Sequence, residues 1–251
     1  MHTYRGTLAY DGTKYAGWQV QPNQRTIQGL METALLKVTG QSKRVLSSGR
    51  TDSGVHAHGQ VISFKVATEL PEDVLCRAIN AHTTFDIYLR HLQITRDDFH
   101  AIGDAVSKHY RYIIQPGPIM DPLSLKYCWS HPKALDLPAM QTAAQHFIGE
   151  HDFASFEASK SDRKTSIRHV MSLELNEHYS HDARFITMDI RADGFLYNMV
   201  RNIVGSLSRV GKGIEQPDWI VDVMKACDRK RAGQTAPPEG LYLMNVDYGE
   251  T

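Results

Sequence analysis

"SSGRTDSGVHAHGQVISF", residues 47–64, sets one acid, Asp52, between Gly49 and Arg50 on one side and Gly54 on the other, then runs into an alternating stretch. QVISFKV, 60–66, alternates like a half-buried strand, so the segment reads as a turn feeding a sheet. Gly49 and Gly54 have the spacing of a phosphate-cradling loop, but Val55 and His56 stand where its lysine and hydroxyl belong, which argues against nucleotide binding. Three readings of Asp52 remain open. Asp-Ser-Gly is a good turn sequence, because an aspartate side chain can accept from backbone two residues on. His56 and His58, two apart on a strand, share a face and with Asp52 could hold a divalent ion, although no fourth ligand is evident. An ionised carboxylate in a glycine-framed turn is also a possible nucleophile.

Outward from this stretch, TYRGTLAYDG begins as a strand. Thr26 can cap a helix carrying Ile27, Leu30, Met31, Ala34, Leu35 and Val38, which Gly40 stops. Pro71 opens a second helix through Val74, Leu75, Ala78 and Ile79, and IYLRHLQI and HYRYIIQ read as further strands. PGPIMDPLSL, 116–125, carries three prolines and a glycine and suits a connector. The domain boundary is therefore expected there, with one α+β domain over 1–115 and another over 116–251. Beyond it, a helix is expected through Leu137, Met140, Ala144, Phe147 and Ile148, strands at about 170–176 and 184–191, and a helix over about 196–210. WIVDVMKAC gives a last helix and LYLMNV a last strand. Each half interleaves helices with strands, which points to an antiparallel or mixed sheet backed by helices in each.

The 251 residues are 41% hydrophobic and 22% charged, enough for a sizeable core. No run of about 18 apolar residues could span a bilayer, and the start lacks the apolar stretch of a signal peptide, so a cytoplasmic protein is expected. Cys76, Cys128 and Cys227 lie far apart with no C-x-x-C pair, which speaks against a disulfide framework or zinc knuckle. Lys+Arg and Asp+Glu are equal at 28 each, so the total charge gives no sign of a polyanion partner. Its distribution does: 159–169 (SKSDRKTSIRH), 225–231 (KACDRKR), and Lys43, Arg44 and Arg50 are locally basic.

The chain resembles the tRNA pseudouridine synthase A family. The family's G-R-T-D-x-G-V-H hallmark is met by Gly49, Arg50, Thr51, Asp52, Gly54, Val55 and His56, with Ser53 at the open position. Further blocks of that family follow in order across nearly the whole chain: YDGTKYAGWQVQ, DDFHA at 97–101, KHYRY at 108–112, EHDFASF at 150–156, FLYNMVRNIVG at 195–205 and EGLYL at 239–243. The chain departs from the pattern at Ile102 and at Lys164, where the family has arginine. A missing guanidinium weakens bidentate phosphate recognition at both points.

The resemblance implies an isomerase that breaks the N1–C1′ glycosidic bond of a tRNA uridine, turns the uracil and rejoins it through C5. It assigns Asp52 as the nucleophile, attacking C1′ or C6. Arg201 is implied as the cation that keeps this carboxylate ionised, against the alternative of a solvated arginine off the apolar seam of its helix. Tyr110 is implied as the residue stacking on the base, against the alternative of a core aromatic sharing a strand face with Tyr112. Leu243 is implied as an apolar wall beside the base, and Arg50 as a further substrate-binding cation. The target base must be swung out of its stack to reach Asp52. No cofactor and no metal are implied. The resemblance further implies two sheets packed side by side around a basic cleft, a homodimer, and uridines at nucleotides 38, 39 and 40 of the anticodon stem-loop.

Overall fold

The computed structural model of the protein describes residues 1–118, 120–158 and 165–249. In chain order the elements are β1 (His2–Tyr10), α1 (Ile27–Thr39), β2 (Leu46–Ser47), β3 (His56–Val66), α2 (Glu72–Ala81), β4 (Ile87–Thr95), β5 (Ser107–Pro116), β6 (Trp129–His131), α3 (Leu137–Ala144), β7 (Gly149–Asp152), β8 (Ile167–Ser180), β9 (Ala183–Ala192), α4 (Met199–Gly211), α5 (Trp219–Ala226) and β10 (Leu241–Asp247). The fold is α+β. The chain forms two compact units, one of Met1–Val106 with Tyr242–Thr251 and one of Ser107–Leu241.

The division between units differs from the expected one. It falls at Val106/Ser107, ahead of the proline-rich segment, because β5 is laddered to β9 from Lys108–Ala192 to Ile114–Ile186 and so belongs to the later unit. The end of the chain returns to the first unit.

In the first unit β1 pairs antiparallel with both β3 and β4, β2 pairs antiparallel with β3, and β10 pairs parallel with β3 through Tyr242–His56 and Leu243–Ala57. α1 forms where the spacing placed it. Thr26 Oγ1 accepts from the Gly29 amide at 3.3 Å, and Gly40 ends the helix at φ +70°. Its buried Ile27, Met31 and Leu35 join Tyr4, Leu8 and Ile62 of the sheet and Leu75 and Ile79 of α2 in the core. Burial of each such side chain contributes on the order of 1.5–3 kcal/mol.

In the second unit the strand order is β5-β9-β8-β7, antiparallel throughout, with β6 parallel to β5. α3 stops at Ala144 and continues only as a 3-10 turn to Phe147, and α4 starts at Met199, after Asn198 takes φ +60°. The core here is aromatic: Phe147, Phe153, Phe156 and Tyr112 are fully buried, with the Phe147 and Phe156 rings edge-to-face at 5.1 Å. Among the described residues, no helix is long and apolar enough to cross a membrane.

Candidate active site

Asp52 lies on the loop between β2 and β3 and is half-buried. The turn after it is closed by main chain, the Val55 amide donating to the Asp52 carbonyl at 3.2 Å, with Gly54 supplying φ +80°. The Asp52 carbonyl and the backbone of Gly54 thus both take part in that closure.

The neighbouring chain grips this loop. Trp18 donates its amide to the Thr51 carbonyl at 3.0 Å, and the Tyr15 carbonyl accepts from Ser53 Oγ at 3.1 Å and from the Gly54 amide at 3.4 Å. Gly17 sits at φ +88°, where a Cβ would stand 2.6 Å from the Thr51 carbonyl oxygen and 3.0 Å from the Asp52 carbonyl carbon. At Gly12 a Cβ would meet the Val55 carbonyl oxygen at 2.0 Å. The glycines of YDGTKYAGW are thus the faces on which GRTDSGV lies.

Deeper in the loop, Tyr10 and Thr51 share a hydrogen bond between hydroxyls at 2.7 Å, both residues buried. Burial pushes the Tyr10 hydroxyl up to about 12, so it is protonated across the working range. Ser48 Oγ donates to Gln60 Oε1 at 2.5 Å, and Gln60 Nε2 donates to the Gly49 carbonyl at 2.7 Å. Sequence reasoning passed over Tyr10 and Gln60; a glutamine opening the alternating run QVISFKV was the available signal. Arg50, between these anchors, is exposed.

His56 is buried beside Asp52's loop, its Nδ1 accepting from the Gly12 amide at 3.1 Å and lying 3.2 Å from Asp11 Oδ1. The Tyr242 ring stacks on His56 at 4.8 Å and on His58 at 5.7 Å between centroids. Both imidazoles are thereby used in packing, and among the described residues no three His, Cys, Asp or Glu side chains come together to hold a metal ion. Leu243, next to Tyr242, is fully buried opposite Ala57. Asp52, Arg50 and Leu243 thus belong to the first unit.

Tyr110 and Arg201 belong to the second. Tyr110 is 8% exposed and meets Phe195 edge-to-face at 5.0 Å, whereas Tyr112 is fully buried with its hydroxyl donating to the Pro237 carbonyl at 2.7 Å. Both tyrosines are buried, Tyr112 the more completely. On the other face of β5, Asp189 accepts from Arg111 Nε at 3.0 Å and lies 2.6 Å from His109 Nε2. Burial pushes the Asp189 carboxyl up, but the bonds from His109 and Arg111 outweigh it and hold the group below the usual carboxylate range.

Arg201 is no solvated surface arginine. Its Nε donates to the Ala236 carbonyl at 2.7 Å and an Nη to Asn198 Oδ1 at 2.9 Å, while the Ala236 amide returns a bond to the Arg201 carbonyl at 3.1 Å. Arg229, inside the basic run 225–231, is likewise tied to Asn202, Thr235 and the Gly233 carbonyl, leaving Lys225, Lys230 and Arg231 exposed. Ile102 is 53% exposed. Lys164 and most of the basic stretch 159–169 lie outside the described residues.

Residues 7–102 and 143–249 match the family model for tRNA pseudouridine synthase. The chain belongs to the tRNA pseudouridine synthase family. The matched segments include Arg50, Asp52, Arg201 and Leu243, with Tyr110 lying between them. The chain is 43% identical over 241 residues to a protein named tRNA pseudouridine synthase A from Thermoanaerobacter sp. (strain X514), covering 96% of this chain and 97% of that one. It is 42% identical over 248 residues to the protein of the same name from Pelobacter propionicus, covering 99% and 100%. With that from Listeria monocytogenes, the identity is 40% over 250 residues, again covering 99% and 100%. As a pseudouridine synthase the chain is an isomerase of tRNA uridine.

Proposed function

We propose that this synthase converts uridines 38, 39 and 40 of the tRNA anticodon stem-loop to pseudouridine, with Asp52 as nucleophile. The observation that carries the reading is the Asp52 loop itself. Its turn closes through main chain, its flanking residues are anchored to β1 and β3, and the chain from Gly12 to Trp18 packs flush against it. Such a build supports holding one carboxylate in a fixed place for covalent chemistry. In that role the Asp52 oxygen either bonds to C1′ as the N1–C1′ bond breaks or adds to C6 across the C5–C6 double bond ahead of that cleavage, and the bond to Asp52 breaks again as the product forms. Rejoining at C5 releases the C5 proton and leaves N1 carrying one, so the reaction needs no redox partner.

Tyr110 supplies the flat, apolar platform on which the detached uracil turns, and Leu243 an apolar wall beside it. Arg50 and Arg201 supply positive charge for the substrate and for the ionised state of the carboxylate. The exposed Lys225, Lys230 and Arg231 support phosphate contacts, which dominate the affinity of such complexes. The enzyme works without cofactor, as a homodimer in the cytoplasm.

The test is to treat bulk tRNA and a short anticodon stem-loop with purified protein and to map pseudouridine at each position. Modification confined to 38, 39 and 40 supports the reading. Modification elsewhere, or none in the stem-loop, overturns the assignment of the target uridines.

A further inference from the structure

Three hydrogen bonds anchor the residues leading into Asp52, one on main chain and two on side chains, and each uses a buried polar side chain of the sheet. Ser48 Oγ and the Gly49 carbonyl are both bound by Gln60 of β3, and Thr51 Oγ1 is bound by Tyr10 of β1. Gln60 and Ser48 are 0% exposed, and the Gln60 amide also reaches the Tyr10 hydroxyl. An apolar residue at 60 would suit a strand core better, since a buried amide is tolerated only when its bonds are made.

The carboxylate of an aspartate is only two rotatable bonds from its Cα, so the path of residues 49–53 decides where its oxygens stand. On the far side the path is held by Trp18 and Tyr15 through main-chain bonds to Thr51 and Gly54. Without Gln60 and Tyr10 the near side would be held by Ser47 Oγ on the Gly49 carbonyl at 3.0 Å and by the Ser48 amide on the Val61 carbonyl at 2.8 Å. Neither of those bonds reaches beyond residue 49.

We propose that Gln60 and Tyr10, acting through Gly49 and Thr51, are positioning residues that fix the Asp52 carboxylate for attack. The proposal rests on Asp52 being the nucleophile. It gives a kinetic signature: displacing a reacting oxygen by about 1 Å costs on the order of 100-fold in rate, while RNA affinity is set elsewhere by phosphate contacts.

The experiment measures kcat, KM and tRNA affinity, with melting curves, for Tyr10→Phe, Gln60→Met, Thr51→Val and Thr51→Ser. Tyr10→Phe, Gln60→Met and Thr51→Val should lower kcat by about 10- to 100-fold with KM and tRNA affinity within about twofold of the parent. Thr51→Ser, which keeps the Oγ, should recover most of the rate lost in Thr51→Val. A purely structural role predicts lower melting temperatures with the parent kcat for each folded molecule, and that result overturns the proposal. Should Gln60→Met fail to fold, the Thr51→Ser and Thr51→Val pair decides: equal kcat in the two sinks it. Asp52→Asn, run alongside, separates the premise from the inference. Inactive Asp52→Asn with parent kcat in Tyr10→Phe and Thr51→Val rejects the positioning role alone, whereas active Asp52→Asn rejects the nucleophile and the positioning role together.

Discussion

Gly17 and Thr51 approach so closely that a single methyl on the glycine would stand 2.6 Å from the threonine carbonyl oxygen. Gly17 also sits at φ +88°, which costs an L side chain about 1 kcal/mol or more. Gly17→Ala should therefore push the Asp52 loop away and break the Trp18 amide bond to the Thr51 carbonyl. We expect a loss of about 2–4 kcal/mol in stability and a fall in turnover larger than the folded fraction explains. Denaturant melts with turnover per folded molecule check both.

Asp52→Asn keeps size and the main-chain turn to Val55 but removes the charge and the nucleophilic oxygen. It should fold, bind tRNA with near-parent affinity, and release no measurable tritium from C5-labelled uridine. Substantial release from a well-folded variant would return Asp52 to the role of a turn residue, for which asparagine serves equally well.

Tyr110→Ala and Tyr112→Ala should fail in different ways. Loss of stacking at 110 removes about 1–3 kcal/mol of interaction with the base and should appear in turnover, with whole-tRNA binding little changed. Loss of Tyr112, fully buried and bonded to the Pro237 carbonyl, should cost about 3–5 kcal/mol of stability. Kinetics and thermal melts of the two variants are the comparison; near-parent turnover in Tyr110→Ala would make it a second core tyrosine.

The Asp189 clasp predicts a pH dependence. Its folded carboxyl is held below the ordinary range, so it contributes stability above the unfolded carboxylate pKa and loses that contribution as pH falls through the folded value. Asp189→Asn should cost about 1 kcal/mol near neutral pH, a modest figure because Arg111 is partly exposed. The gap between parent and variant should close in acid. Urea melts across pH 3 to about 7 test this, and a gap that widened in acid would contradict it.

Much of the secondary structure was legible because it is local. Thr26 and Gly40 bracket an apolar period that needs nothing from elsewhere, and the run 60–66 announces β3, although residues 60–64 are buried on both faces where alternation suggested one. β2, β6 and β7, of 2, 3 and 4 residues, are too short to carry a period and exist only through their partners. The same limit governs the unit boundary: prolines near 116–125 suggest a connector, but the ladder to β9, some seventy residues on, decides where β5 belongs. At the site, the hallmark around Asp52 was plain, while Tyr110 and Tyr112 share a strand face and differ only through Pro237, far along the chain. The alternative of a solvated Arg201 stayed open on its helix alone for the same reason, since Ala236 receives its guanidinium. Gln60 and Tyr10 were missed because a buried polar grip on a loop leaves no periodic trace.

The return of β10 to β3 has a consequence for how the enzyme is born. Residues 242–247 lie beside the strand that follows the Asp52 loop, with Tyr242 opposite His56, yet they are made only after the whole of the second unit. At about 5–20 residues per second, the strand bearing His56 waits on the order of ten seconds or more for this neighbour. During that interval the second unit can complete itself from contiguous chain, while the first stays open along one margin. A nascent polypeptide that has not yet reached β10 thus carries an unfinished sheet beside the Asp52 loop, however complete its second unit has become.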